Sequence, residues 1–427
     1  VITSPAFAGK RFGIFGLARS GVAADAALRA SGAITFNWDD GEAARSAFAG
    51  EVTNLHDFDL ASLDALVVSP GVPHSAPLFE KAVAADVPVI GDIELFALAR
   101  PDLPPHAVVG ITGTNGKSTT TALIHHILAA AGYPALMGGN IGLPILAQDP
   151  LPENGVYVLE LSSYQLDITY SLDCEVAVLL NITPDHLERH GTLQAYAAAK
   201  ARLFAMQSPH RTAIVGWDAE TEHDVLDGAE APLIEFIEDV ATGDQSDWPA
   251  LQGPHNLQNA RAAVAACTAL GLEPAEIAAG LASYTGLAHR MEPLATMNGV
   301  LWVNDSKATN PDSTAPALQA FPRTHWIAGG KAKTAPDGSV DLSALTPRLT
   351  GVCAAYLIGE AAPLFEPVLS PHVPVVMAGT LEQAVSAAAA AAKPGDTVLL
   401  SPACASFDQF RDFEHRGETF RALVGAL

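Results

Sequence analysis

Short runs of apolar, often β-branched residues recur along this chain. Each is followed by glycine or polar residues and then by apolar positions at helical spacing. Such runs read as buried parallel strands, and the stretches between them as helices with one apolar face. Near the N-terminus, residues 12–15 form a strand that turns at Gly16 and continues into a helix through Gly21. "AITFNW" gives a second strand, while "LDALVVSPGVP" and "VPVIGDIELF" each give a strand ending in a turn. "ARPDLPPH" (99–106) has the composition of a linker. Beyond it, "AVVGIT" (107–112), "VYVLELS" and "EVAVLLNIT" read as strands, with helices after the first of them and near 193–206 and 256–270. A third segment opens near "TGLAHRMEP", with strands at "VLWVND", "HWIAGG", "AYLIG" and "TVLLSP". It also has helices at "LEQAVSAAAAAA" and at the C-terminus. Strands alternating with helices predict α/β domains with mostly parallel sheets, three in all.

Composition narrows the class. At 427 residues the chain exceeds one ordinary core, and 49% hydrophobic with 16% charged residues is a globular balance. A net charge of −24 argues against nucleic acid or an anionic membrane surface as the main partner. Phosphate-bearing small molecules stay open, because loops and helix ends bind anions without a basic surface. Cys174, Cys267, Cys353 and Cys404 lie far apart with no C-x-x-C pair, so neither a zinc site nor a disulfide framework is expected. The N-terminal "VITSPAFAGKRF" lacks a long apolar core, and no run approaches a membrane span. The expectation is a soluble cytoplasmic protein with small-molecule substrates, no membrane and no obligate protein partner.

The chemistry concentrates where strands end. "GITGTNGKSTT" (110–120) departs from G-x-x-x-x-G-K-[ST], because Ile111 stands where the first glycine belongs and Gly110 and Gly113 flank it. Strand, glycine turn, Lys-Ser and helix is nonetheless the context of a nucleoside-triphosphate site, for ATP or GTP. Backbone N–H groups and the helix N-terminus would meet phosphate, Lys117 the outer phosphates, and Ser118 a Mg²⁺ ion. "GLARSG" (16–21) has the G-x-G-x-x-G form with Ala18 in the middle, and Asp39 follows the next strand. That pattern leaves a dinucleotide site of an oxidoreductase, a nucleotide-sugar diphosphate site and a plain turn all open. Glu160, Asp185 and His186 stand at strand ends as Mg²⁺ ligands, substrate contacts or caps. Lys200, amid alanines in "YAAAKARLF", reads as a solvated surface lysine. His255, Asn256 and Asn259 open a helix, as caps or as amides that read a purine. Arg290, Asp305, Lys307 and Thr309, then "GGKAKT" with Lys331 and Lys333, and "SPACASFDQFRDFEHRG" add polar residues at further strand ends.

The ordered set "GITGTNGKSTT", "GGNIG", "ELSSYQL", "NITPDHLERHG", "YAAAKARLF", "GPHNLQNA", "HRMEP", "NDSKATNP" and "LLSPACASFDQFRDFEHRG" resembles the Mur ligase family over nearly the whole chain. The N-terminal segment and "SPACASFDQF" resemble most the branch that joins D-glutamate to UDP-N-acetylmuramoyl-L-alanine. The resemblance implies a Rossmann-like N-terminal domain (1–98) for the UDP substrate. It further implies a central P-loop ATPase-like domain (99–286) and a Rossmann-like C-terminal domain (287–427) for the amino acid. It implies an ATP- and Mg²⁺-dependent amide ligase of peptidoglycan precursor synthesis that works through an acyl phosphate. For ATP it assigns Gly113, Thr114, Asn115, Gly116, Lys117, Ser118, Thr119, Asn256, Asn259, Arg290, Asp305 and Lys307. Catalysis and the metals fall to Lys117, Ser118, Glu160, His186 and Lys200, the last often carbamylated in the family. Arg19, Ser20, Asp39, Asp40, Ser69, Asn140 and His186 would meet the UDP substrate. Thr309, Lys333, Ser406, Phe407 and Phe413 would meet D-glutamate.

Overall fold

The fold is described from a computed structural model at residues 1–73, 75–216, 233–248, 250–332, 334 and 338–427. Strands β1 (Arg11–Phe15), β2 (Ile34–Trp38), β3 (Ala65–Val68) and β4 (Val89–Ile90) form a parallel sheet in the order β2-β1-β3-β4. A second parallel sheet contains β5 (His106–Thr112), β6 (Ala135–Gly139), β7 (Gly155–Glu160), β8 (Val176–Leu179), β9 (Thr212–Val215) and β10 (Leu233–Phe236). Its order is β10-β9-β8-β5-β7-β6, which places β5 and its glycine loop in the interior. The third sheet is built from β11 (Glu292–Met297), β12 (Val300–Asn304), β13 (Thr324–Gly329), β14 (Val352–Ile358), β15 (Val375–Gly379) and β16 (Thr397–Leu400). It runs β11-β12-β16-β13-β14-β15, and β11 pairs antiparallel with β12. Asn298 and Gly299 join those two with φ of +51° and +76°, the left-handed pair that a tight hairpin turn requires.

The pattern of apolar runs located the other strands, the edges β2 and β4 included, and passed over β6, β9, β10, β11 and β15. Four of these, β6, β10, β11 and β15, are sheet edges. Their side chains are mostly half-buried or exposed, as along Val375–Gly379 and Leu233–Phe236. An edge strand needs only one neighbour and little apolar surface, so its sequence signal is weak.

The chain separates into two compact units, Val1–Tyr284 and Thr285–Leu427. Within the first unit, a continuous core runs from Phe12, Ile14 and Leu28 through Ile93 and Phe96 to Tyr157 and Leu203. The Phe96 and Tyr157 rings meet at 5.1 Å. Glu94, buried at 4% exposure, accepts hydrogen bonds from the N–H groups of Tyr170 and Ser171 at 2.7 and 2.9 Å and from the Ser171 hydroxyl at 2.7 Å. A buried carboxylate with three donors fixes the first sheet to the second. Among the described residues, no helix is long and apolar enough to cross a membrane.

Candidate active site

The loop between β5 and the Lys117–Ala130 helix takes its shape from two glycines. Gly113 has φ +147° and Gly116 has φ +86°, regions that disfavour any side chain. A Cβ on Gly116 would also stand 2.3 Å from Asn259 Oδ1, so the Pro254–Ala269 helix presses directly on the turn. The Asn259 carboxamide accepts from the Thr120 hydroxyl at 3.2 Å and donates to Asn256 Oδ1 at 3.2 Å. Asn181 Oδ1 accepts from the Asn115 N–H at 2.9 Å, and Asn181 Nδ2 donates to Gln258 Oε1 at 3.1 Å. These contacts hold the loop in this shape. Ser118 and Thr119 are buried in the first turn of the helix, where the dipole favours anions.

Two lysines converge on one carbonyl of this loop. Lys117 Nζ donates to Gly113 O at 2.8 Å and Thr114 O at 2.7 Å, and Lys200 Nζ donates to Gly113 O at 2.9 Å. Lys200 is 1% exposed and lies 4.5 Å over the Tyr196 ring. The surface-lysine reading of its spacing is therefore wrong. The Leu193–Ala205 helix turns that face inward onto the loop. Burial, and next the nearby Lys117 charge, pushes the Lys200 ammonium well below its ordinary range and favours the neutral amine.

Glu160 ends β7 with 2% exposure. Its Oε1 accepts from Asn140 Nδ2 at 2.9 Å, and its backbone carbonyl accepts from the Asn140 N–H at 2.8 Å. Gly139 has φ +86°, and a Cβ there would stand 2.2 Å from Glu160 O. Asn140 thus sits against the candidate metal carboxylate as well as among the residues assigned to the sugar. His186, with φ +53°, is held by Tyr164, whose hydroxyl lies 2.9 Å from its Nδ1. Tyr164, Tyr196, Asn181 and Gln258 were absent from the sequence assignment, although all lie within the quoted motifs. The donor chemistry of Ser118, Glu160 and His186, mostly hard oxygen, suits a Mg²⁺ ion.

In the first sheet, Gly16, Ser69 and Gly21 pack too closely for larger residues. A Cβ on Gly21 would stand 1.8 Å from Gly16 O, and Ser69 Oγ donates to that same carbonyl at 2.9 Å. Ala18 is exposed and extended at φ −78°, ψ −170°, so its methyl is accommodated without strain. Asp39 accepts from the N–H groups of Leu17 at 2.7 Å and Gly41 at 2.8 Å, bracing the loops after β1 and β2. Asp40 accepts from Trp38 Nε1 at 2.9 Å and contacts His56 Nε2 at 2.8 Å. Arg19, beside Ser20 at the start of its helix, donates to Gly142 O at 2.5 Å, which places it next to the Asn140 loop.

The second unit gathers its candidates behind β12 and β16. Arg416, fully buried, donates to Ser306 Oγ at 3.0 Å, Ser306 O at 2.8 Å and Cys404 O at 3.1 Å. Ser306 Oγ donates in turn to Phe413 O at 2.8 Å. One guanidinium therefore locks the loop of Asp305, Lys307 and Thr309 to that of Ser406, Phe407 and Phe413. Sequence assignment missed Arg416, although it stands in "FEHRG". Ser406 is 2% exposed, whereas Phe407 is 69% exposed. Lys307 Nζ lies 5.7 Å from the Phe413 ring centre. Arg290 follows His289, which is paired with Asn304 at 2.9 Å. Lys333 falls outside the described residues.

Asp305, 4% exposed, accepts from the Met291 N–H at 3.1 Å and from the Ser401 hydroxyl at 2.6 Å. Burial pushes its carboxyl up to about 6. As pH rises from the ordinary carboxylate value to about 6, the folded chain holds a proton here that the unfolded chain has lost. The contribution to stability therefore falls across that window. Asp305→Asn keeps the acceptor for the Met291 N–H and reverses the Ser401 contact, its Nδ2 donating to the Ser401 oxygen while the serine proton turns to Thr314 Oγ1. It is expected to stabilise the second unit by about 2–3 kcal/mol near pH 7. The gain should vanish toward pH ~4. Thermal unfolding of both forms across that range checks it, and a pH-independent difference would count against the buried-charge account.

The comparisons with known proteins agree with this geometry. Residues 111–248 match the Mur ligase middle domain, and residues 289–404 match the Mur ligase glutamate ligase domain. A UDP-N-acetylmuramoylalanine–D-glutamate ligase from Novosphingobium aromaticivorans is 56% identical, over 100% of this chain and 97% of its own. The enzyme of the same name from Zymomonas mobilis is 49% identical, with 100% of both chains covered. Among solved structures, the UDP-N-acetylmuramate-alanine ligase of Thermotoga maritima shares the fold, with a TM-score of 0.60 at 16% identity. That match covers 98% of this chain and 99% of the other. With both ligase domains matched and end-to-end identity to such relatives, the chain belongs to the Mur ligase family.

Proposed function

We propose that this chain is an ATP-dependent amide ligase that adds D-glutamate to UDP-N-acetylmuramoyl-L-alanine in peptidoglycan precursor synthesis. The observation that carries this reading is the 56% identity over the full chain to a ligase of that name. The phosphate loop supports it, with Lys117 and Lys200 converging on Gly113 O. We assign residues 1–98 to the UDP substrate, 99–286 to ATP and 287–427 to the amino acid. Four cysteines without a disulfide suit a reducing cytoplasm.

A carboxylate resists attack by an amine because its leaving group would be oxide. The substrate carboxylate oxygen therefore attacks the γ-phosphorus of ATP, and ADP departs. The glutamate nitrogen then adds to the carbonyl carbon of the acyl phosphate, loses a proton, and phosphate leaves as the amide forms. Lys117 and the first turn of its helix stabilise charge on the transferred phosphoryl group. Ser118, Glu160 and His186 would hold Mg²⁺, which would supply Lewis-acid neutralisation of the anions brought together here. Lys200, buried and disposed to the neutral amine, is suited to take up CO₂ as a carbamate and so present oxygen ligands. Asn140 orients Glu160, and Tyr164 orients His186. Arg290, Asp305 and Lys307 serve ATP, with Asp305 at the ribose. Thr309, Ser406 and Phe413 serve D-glutamate.

The test is phosphate release from ATP and Mg²⁺ with UDP-N-acetylmuramoyl-L-alanine, comparing D-glutamate, L-glutamate and no amino acid. Release dependent on D-glutamate is expected. Equal release with another amino acid in its place would move the assignment to a sister ligase, and nucleotide binding without release to a non-catalytic relative.

A further inference from the structure

The N-terminal ends of β13, β14 and β16 carry a cluster that the ligase reaction does not use. His325, Cys353 and Asp396 each offer a metal-ligating atom, and the three atoms lie within 4.8 Å of one another. His325 is on β13, Cys353 is on β14, and Asp396 immediately precedes β16. The candidate ligase residues follow the opposite, C-terminal ends of β12 and β16. His325 and Asp396 are 5% and 2% exposed, while Cys353 is only half-buried and gives the cluster a route to solvent. In sequence these residues show no ligand spacing, which is why a reading of cysteine pairs passes over them.

The surroundings orient each donor. The Tyr356 hydroxyl lies 2.9 Å from His325 Nδ1, and His325 Nε2 faces Asp396 Oδ2 at 3.2 Å. Arg323 Nε donates to Asp396 Oδ1 at 2.5 Å, and the Lys393 N–H donates to Oδ2 at 2.9 Å. A histidine ligand with its second nitrogen hydrogen-bonded, and a carboxylate ligand braced by other donors, is how protein metal sites are held. Zinc bonds of about 2.0–2.3 Å place tetrahedral ligand atoms about 3.3–3.8 Å apart. The His325–Asp396 pair, at 3.2 Å, stands just short of that separation, and side-chain rotation at Cys353 closes the rest.

We propose that His325 Nε2, Cys353 Sγ and an Asp396 carboxylate oxygen bind one Zn²⁺ ion, with water as the fourth ligand. One imidazole, one thiolate and one carboxylate form a donor set that zinc accepts and Mg²⁺ does not. On binding, the Cys353 thiol releases its proton to solvent. The His325 ring proton, which faces Asp396 Oδ2 from Nε2, passes through solvent to Nδ1 and is there donated to the Tyr356 oxygen, and no electron moves. The ion ties two strands to the segment entering a third. Because it binds the folded chain, it raises the unfolding temperature.

Metal-free full-length chain titrated with Co²⁺ reports the site directly, because cobalt at the oxygen-rich ligase centre gives no thiolate charge-transfer band. One equivalent of that near-ultraviolet band is expected, displaced by Zn²⁺ and lost in Cys353→Ala with the circular dichroism spectrum unchanged. Tyr356→Phe should retain the band with about tenfold weaker affinity. No band in the parent chain, or a band that survives Cys353→Ala, overturns the site. Neither result depends on the identity of the ligase substrate.

Discussion

Replacing Lys117 by alanine is expected to lower turnover by about 10²–10³-fold or more, the usual cost of deleting one preorganised donor to a charged transition state. The ammonium is held by Gly113 O at 2.8 Å and Thr114 O at 2.7 Å. Charge that is already aimed needs no reorganisation when the phosphoryl group transfers. The loss should appear mainly in kcat, since the backbone donors of the loop and helix still bind phosphate. Single-turnover phosphate release measures it. Turnover near that of the parent chain would remove Lys117 from the phosphoryl-transfer role. The same substitution removes the second-largest influence on Lys200, so the buried amine should become easier to protonate.

The largest expected effect on stability is at Arg416. Arg416→Ala should destabilise the second unit by about 3–5 kcal/mol, because a fully buried guanidinium is withdrawn from carbonyls that then lack a donor. Burial pushes the Arg416 pKa down to about 10, which leaves it charged at neutral pH. Its donors reach Ser306 and Cys404, so both candidate loops of the second unit should loosen together. Arg416→Lys retains a charge without the fork and should recover only part of the loss. Urea unfolding of the three forms decides the matter. An Arg416→Ala midpoint equal to that of the parent would show that the guanidinium does not brace these loops.

Some of this was legible in sequence because it is local. A glycine with positive φ between a strand and a helix is required by the backbone of the turn itself, and Gly113 and Gly116 could be read as a phosphate loop on that ground. Glu160, His186 and Asp305 stood out as polar residues directly following apolar strands. Lys200 could not be read this way. Its neighbours in the helix are alanines, which pack equally well facing solvent or core, and only the apposed β5 loop decides that it is buried. Asn259 looked like a helix cap or a purine contact, yet its side chain lies against Gly116 and Thr120.

The sequence by itself determined the α/β class, most of the interior strands, the nucleotide loop and the family, because each depends on short-range periodicity or on residues in one turn. The tertiary structure alone decided which polar groups meet across distant segments. Asn140 met Glu160, Asn181 met the phosphate loop, and Arg416 joined the loops after β12 and β16. His325, Cys353 and Asp396 came together from three separate strand ends. The edge strands β6, β10, β11 and β15 also waited for the structure. The physical reason is common to all of these: a hydrogen bond or ligand set between remote residues leaves no period in the chain, and an edge strand buries too little apolar surface to mark itself.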